Sequence, residues 1–240
     1  MTLDEILTSL FPKGHEVVLD HGLLSGQGKL PGGAAVSVIG VDGRTAVGID
    51  EAIRLSANVL DVVKRGRNDA ILVLIDSNSQ RMSRRDELLG LSEFLAHLAK
   101  CLIVADWMGS RTIGLLYGHT AAGAFIATAM ATRTLTALPG ADPAVMDLPS
   151  MSRVTKLPVE VLEEKAKSTP VFAPGLENVA QTGAIAAVLD PTISLAMQVE
   201  ALLAKPVESA DTRDRLGKER HGRPKAADIA ARVYGLARGS

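Results

Sequence analysis

Leu3, Ile6, Leu7 and Leu10 share one helical face and Phe11-Pro12-Lys13-Gly14 ends that run, so residues 1–12 read as a helical arm. Val17-Val18-Leu19 and the run Ala34 to Val41 predict strands, the second turned at Asp42-Gly43 and resumed at Thr45-Ala46-Val47 as a hairpin. Asp50 is expected to cap a helix that carries Ile53, Ala57, Leu60 and Val63 on one face and stops at Gly66. Ala70 to Asp76 reads as a buried strand, Ser77 to Ser83 as a loop, Arg84 to about Lys100 as a helix, and Leu102 to Trp107 as another strand. Thr112 to Leu116 is a strand before a turn of small residues, Gly123 to Met130 the helix after it, and Thr134 to Leu138 the next strand. Apolar strands alternating with amphipathic helices indicate βαβ units around a parallel sheet covered on its faces. Beyond Pro139 the pattern turns helical, at Pro158 to Lys167, about Ala184 to Val188, and Pro191 to Leu203. Glu208 to Lys225 is charged and poor in large apolar groups, which predicts an exposed connector before a last helix, Ala226 to Leu236.

A chain of 240 residues can bury a real core, and it is expected to form a single domain (1–240) with the arm 1–12 and a charged C-terminal extension 206–240. Its 26 basic and 27 acidic residues give a net charge of -1, which supplies no field for nucleic acid or an anionic membrane. Cys101 is the single cysteine, so no internal disulfide forms. The N-terminus lacks the basic start and apolar stretch of a secretory signal, and no apolar run reaches the roughly 20 residues of a membrane span. Cytoplasm is the expected compartment. Aromatics are 3% of a chain that is 47% apolar, a mixture suited to tight helix-on-sheet layers or to contacts between subunits.

The chemistry is expected at Tyr117-Gly118-His119-Thr120-Ala121-Ala122-Gly123-Ala124-Phe125. Small residues at a strand-to-helix turn let a ligand approach the backbone, and the first amides of the following helix have no intrahelical acceptor. Such a turn serves either to hold a developing oxyanion or to pack a helix closely. His119 inside it is either a group that orients a thioester or exchanges a proton, or a hydrogen-bonded turn histidine. The glycine cluster fits neither nucleotide motif: no Ser or Thr follows Gly28-Lys29, and Gly26, Gly28 and Gly32 have the wrong final spacing and precede a strand, so turns and bulges are the preferred reading. No histidine pair has helical i, i+4 spacing, so no metal site is expected. A Gly-x-Ser-x-Gly elbow is missing, although Ser79, Ser83 and Ser110 lie beside strands and leave a triad with His119 open. Asp76 and Asp106 at strand ends are either site residues or caps.

Four segments, Leu19 to Gly28, Ile75 to Gln80, Tyr117 to Phe125 and Asp142 to Met151, resemble the gamma subunits of biotin-independent malonate decarboxylases, in the carboxyltransferase branch of the crotonase-like superfamily. The resemblance implies an α/β spiral of ββα units with peripheral helices. It also implies decarboxylation of malonyl-S-acyl carrier protein to acetyl-S-acyl carrier protein through an enolate held by backbone amides. The expected partners are a beta subunit, the acyl carrier protein and the other subunits of the complex. The thioester rides on a CoA-type phosphopantetheine arm, with no biotin and no covalently bound cofactor. By position the amide donors fall on Ala121, Ala122 and Gly123, Gly118 gives the backbone room, His119 assists, and Thr120, Ser77 and Gln80 bind substrate. Related carboxyltransferases have more glycine in this turn, so Ala121 and Ala122 are expected to keep negative φ. The Ser77 to Ser83 loop also lacks a glycine found in relatives, which implies that the beta partner supplies much of the pocket. The alternatives are a non-catalytic scaffold subunit of the same complex and a serine hydrolase of the same superfamily.

Overall fold

A long strand, a shorter strand bent away from it and a helix recur along the chain in the computed structural model, which describes residues 1–170, 173–206 and 210–239. Ahead of this repeat stand α1 (Leu3–Leu10), β1 (Val18–Asp20) and β2 (Leu23–Lys29). The first unit is β3 (Ala35–Val47), bent near its middle, with α2 (Ile49–Arg65). The second is β4 (Ala70–Gln80) with α3 (Arg84–Leu88) and α4 (Leu91–Trp107). The third is β5 (Thr112–Leu116), β6 (His119–Ala121), α5 (Ala122–Ala124) and a π-helix, Phe125–Met130. The fourth is β7 (Thr134–Ala137), β8 (Asp142–Ala144) and α6 (Leu148–Thr155). Then follow α7 (Val159–Ser168), α8 (Leu176–Gln181), β9 (Ala187–Val188), α9 (Leu195–Ala204), α10 (Arg213–Glu219) and α11 (Ala226–Ala237).

The main sheet runs β1-β2-β3-β4-β5-β7-β9, antiparallel through β3 and parallel beyond it. β6 and β8 form a separate two-stranded parallel sheet, and β3 pairs with β4 again after the bend, at Thr45↔Ser77 and Val47↔Gln80. Each side of the main sheet carries its own core. Ile71, Val73 and Ile75 pack with the buried faces of α2 and α4, while Leu72 and Leu74 pack with Ile6, Leu7 and Leu10 of α1 and Leu195 and Val199 of α9. Burial on both faces is why β4 reads as an unbroken apolar run rather than an alternating one.

Several expectations need correction. Asp42-Gly43 makes no hairpin: β3 runs through it, with Gly43 and Arg44 both at positive φ, because β4 continues alongside on the far side of the bend. The hairpin is β2–β3, turned where Leu30 donates its amide to the Ala34 carbonyl. In β2, Gly28 leaves room for the Phe11 ring, which a Cβ there would meet at 2.5 Å. Leu102 to Trp107 is the C-terminal end of α4, with Leu91, Leu95, Leu98, Cys101, Leu102 and Ala105 buried at helical spacing. The helix expected from Arg84 to Lys100 breaks at Gly90, whose φ of 86° suits glycine. Ser77 to Gln80 extends β4 instead of looping. Asp50 is not the cap of α2: the Gly48 amide donates to the Glu51 carboxylate at 2.9 Å. Asp50 instead takes both guanidinium nitrogens of Arg85, at 2.8 and 3.0 Å, and those bonds hold its carboxyl below the usual carboxylate range. Ala184 to Val188 ends in β9, not a helix. Within the expected connector, Glu208 lies outside the described residues, and the described part contains α10. Helices α6 and α8 are additional to the expected set; Asp147 caps α6 by accepting the Ser150 amide. No helix among the described residues is long and apolar enough to cross a membrane.

Candidate active site

The bends between long and short strands of the second and third units lie side by side, and a carboxylate ties them to the first. Asp76 accepts the His119 amide at 2.9 Å and the Arg44 amide at 3.3 Å. Gly118 is required by this bracket, since a Cβ there would stand 2.1 Å from Asp76 Oδ1. One step deeper, the Ser77 and Thr120 hydroxyls meet at 2.8 Å with both residues fully buried. Tyr117 donates its phenol to Asp42 at 2.5 Å; burial first, then the bond to Asp42, pushes the phenol far above the ordinary tyrosine range and keeps it a donor.

Past β6 the backbone does something the sequence does not suggest. Ala122 has φ +50°, the left-handed region, whereas Ala121 is extended. The expectation of negative φ at both alanines therefore fails at Ala122. A residue with a Cβ in that region is held there against a local cost of about 1–2 kcal/mol, so its neighbours must enforce it. The turn aims the Gly123 amide at the Gln80 side chain, whose Oε1 accepts it at 2.8 Å. His119 Nδ1 lies 2.9 Å from Asp142 Oδ2 on β8, across the ladder pair His119↔Asp142.

All eight expected residues, Ser77, Gln80, Gly118, His119, Thr120, Ala121, Ala122 and Gly123, thus belong to these two adjoining bends and the helix start that follows them. Asp142 and Asp42 join them without having been named as site residues, and so does Tyr117, which opens the segment where the chemistry was expected; Asp142 stood in a segment that carried the family resemblance. Asp76 brackets the bends by accepting the His119 and Arg44 amides rather than capping a helix, whereas Asp106 lies in α4 and binds Arg133 at 2.7 Å. Ser79 donates its hydroxyl to the Gln80 carbonyl, Ser83 caps α3, and Ser110 is buried. His119 and Asp142 make the His–Asp half of a triad, but among the described residues no serine hydroxyl hydrogen-bonds the His119 ring, so a triad gains no geometric support. Among the described residues no group of three or more His, Cys, Asp or Glu side chains is arranged to hold a metal ion.

Beyond the turn, Phe125, Ile126 and Met130 of the π-helix line an apolar cavity of about 930 Å³. Met146 and Met151 face it from the α6 side, and Asp211, Arg213 and Arg223 close its C-terminal side.

Residues 43–237 match the family model of the malonate decarboxylase gamma subunit. Among solved structures, a Pseudomonas malonate decarboxylase hetero-tetramer in complex with coenzyme A is 25% identical with a TM-score of 0.75, over 98% of this chain and 97% of that one. The Pseudomonas MdcD-MdcE hetero-dimer superimposes at 25% identity with a TM-score of 0.73, over 98% and 96% of the two chains. Transcarboxylase 12S, at 16% identity and a TM-score of 0.66, covers 86% of this chain and 42% of its own, and shares the fold. The malonyl-S-ACP:biotin-protein carboxyltransferase MADD of Malonomonas rubra is 26% identical over 148 residues, 58% of this chain. The chain spans about half the length of that curated relative, 51%. The four-unit spiral is therefore a crotonase-like carboxyltransferase fold, and the chain belongs to the malonate decarboxylase gamma subunit family.

Proposed function

We propose that this chain, with a malonate decarboxylase beta subunit, decarboxylates a malonyl thioester carried on an acyl carrier protein. Cleavage of the bond to the carboxylate releases carbon dioxide and leaves its electron pair in an enolate, whose charge gathers on the thioester oxygen. A donor already aimed at that oxygen lowers the barrier, and losing one typically costs about 2.7–4 kcal/mol. The observation that carries the reading is the Gly123 amide, presented at a helix start by a left-handed Ala122 and already engaged by a carbonyl-type acceptor. Protonation of the enolate carbon then gives the acetyl thioester, and His119, held by Asp142, is the proposed proton carrier. Coenzyme A in the complex of the related Pseudomonas enzyme supports a CoA-type arm as the substrate carrier. The exposed Met82, two residues beyond Gln80, and Leu88 and Leu89 at the end of α3 support a beta subunit closing over the site. We read residues 1–240 as one folding unit, working in the cytoplasm without biotin or metal.

The test is carbon dioxide release from malonyl-S-acyl carrier protein by this chain, by the beta subunit and by the mixture, with Gly123→Val alongside. Its Cβ would already lie 3.0 Å from Leu95 Cδ1 and 3.2 Å from Gln80 Oε1. Turnover confined to the mixture and lost by more than a hundredfold in an assembled Gly123→Val complex is expected. Full turnover by the beta subunit alone reduces this chain to a scaffold. A second reading, transfer of the carboxyl group to a biotin protein, has the Malonomonas relative in its favour; inhibition of turnover by avidin identifies it.

A further inference from the structure

We infer that Gln80 is a resident stand-in for the thioester oxygen: its carboxamide accepts the Gly123 amide and gives that donor up when substrate arrives. The inference rests on the reading of this turn as the oxyanion site. An amide carbonyl oxygen and a thioester oxygen are the same kind of acceptor, neutral and on an sp² carbon, and Gln80 Oε1 sits at 2.8 Å, an ordinary hydrogen-bond distance. The first amides of a helix lack intrahelical acceptors, so in the absence of Gln80 this one would face solvent or ligand.

The surroundings distinguish an exchangeable contact from a permanent one. The backbone of Gln80 is fixed by pairing with Val47 and by the Arg81 amide donating to the Val47 carbonyl at 2.9 Å, so only the side chain has to move. At the other end of the carboxamide, Nε2 meets, among the described residues, only the Met82 sulfur at 3.8 Å, a weak acceptor that anchors nothing. The Asp76 bracket nearby is the opposite case: an acceptor shared by two amides and tucked against Gly118, built to stay. The incoming thioester exchanges one neutral hydrogen bond of small net strength for another, so the stand-in yields at binding, and the charge-assisted bond to the enolate oxygen then holds the donor for the substrate.

Competition of this kind raises KM more than it lowers kcat. In the assembled complex, Gln80→Ala and the nearly isosteric Gln80→Met are expected to bind acetyl-CoA roughly three- to tenfold more tightly, the range set by one neutral hydrogen bond. KM for the malonyl thioester should fall in step, while Gln80→Glu, which puts a charged acceptor on the amide, should raise it. Weaker or unchanged acetyl-CoA binding in both Gln80→Ala and Gln80→Met overturns the inference, because Gln80 is then a substrate contact or an inert support. Gly123→Val separates the two levels: loss of turnover there with no gain in affinity from the Gln80 variants removes the stand-in alone. Unchanged turnover in Gly123→Val removes the oxyanion turn and the stand-in together.

Discussion

The bends that carry the site and the helices that follow β8 are held by different forces. Around Asp76, three consecutive units are tied within one hydrogen-bonded knot, backed on either side by the apolar clusters of the sheet. Apart from α9, whose Leu195 and Val199 join the sheet's core, these helices have little core of their own: α6 and α11 bury no residue, and Ile229, Val233, Tyr234 and Leu236 of α11 are exposed. What attaches this region is largely arginine on carbonyl oxygen. Arg213 donates to Met130, Arg220 to Ala180, Ile185 and Ala186, and Arg111 to Leu203 and Lys205. Fixed geometry is concentrated where donors must be aimed, and the periphery is left open to other chains.

Substituting Gly118→Val attacks the knot and has the largest expected effect. With Asp76 Oδ1 2.1 Å from the new Cβ, the bracket must open, at a cost of about 3 kcal/mol or more, with turnover lost. Thermal unfolding and carbon dioxide release measure both; a variant of native stability would show that the bends are softer than this contrast demands. Arg220→Ala attacks the periphery. Losing its bonds to three carbonyls should cost about 2 kcal/mol and expose residues 210–239 to limited proteolysis, with a much smaller loss of turnover. Turnover as damaged as in Gly118→Val would erase the distinction between the two regions. The smallest effect sharpens the comparison: Ala122→Gly removes the left-handed strain of about 1–2 kcal/mol but adds freedom to the unfolded chain. A net gain of about 0.5–1 kcal/mol in urea unfolding is expected, and a loss would mean that the alanine methyl packs usefully.

The two regions also differ in how legible they were. The strand Ala70 to Asp76 shows in the sequence because both its faces are buried, and Thr112 to Leu116 for the same reason. Leu102 to Trp107 has the same texture but is helical. Ile103, Val104 and Trp107, the last 76% exposed, lie outside the core and blur the helical period. Asp42-Gly43 carries true turn chemistry, yet the neighbouring strand turns it into a bend. Gly118 to Gly123 could be located from its short side chains. The left-handed Ala122 could not, because it is imposed by contacts between segments far apart in sequence, Gln80 with Gly123 and Ser77 with Thr120. α10 escaped notice for a related reason: it buries a glycine, Gly217, packed against the Thr182 carbonyl, rather than a large apolar side chain.

The π-helix Phe125–Met130 has a consequence for how the family can vary in length. A π turn holds one residue more than the α turn it replaces, so deleting a single residue there restores an α-helix with both ends in register. The same deletion elsewhere in a helix would swing everything after it by about 100° and turn its apolar side outward. Between the amide of Gly123 and the start of β7, this chain therefore has a place where an insertion or deletion of one residue leaves the turn and the sheet in alignment.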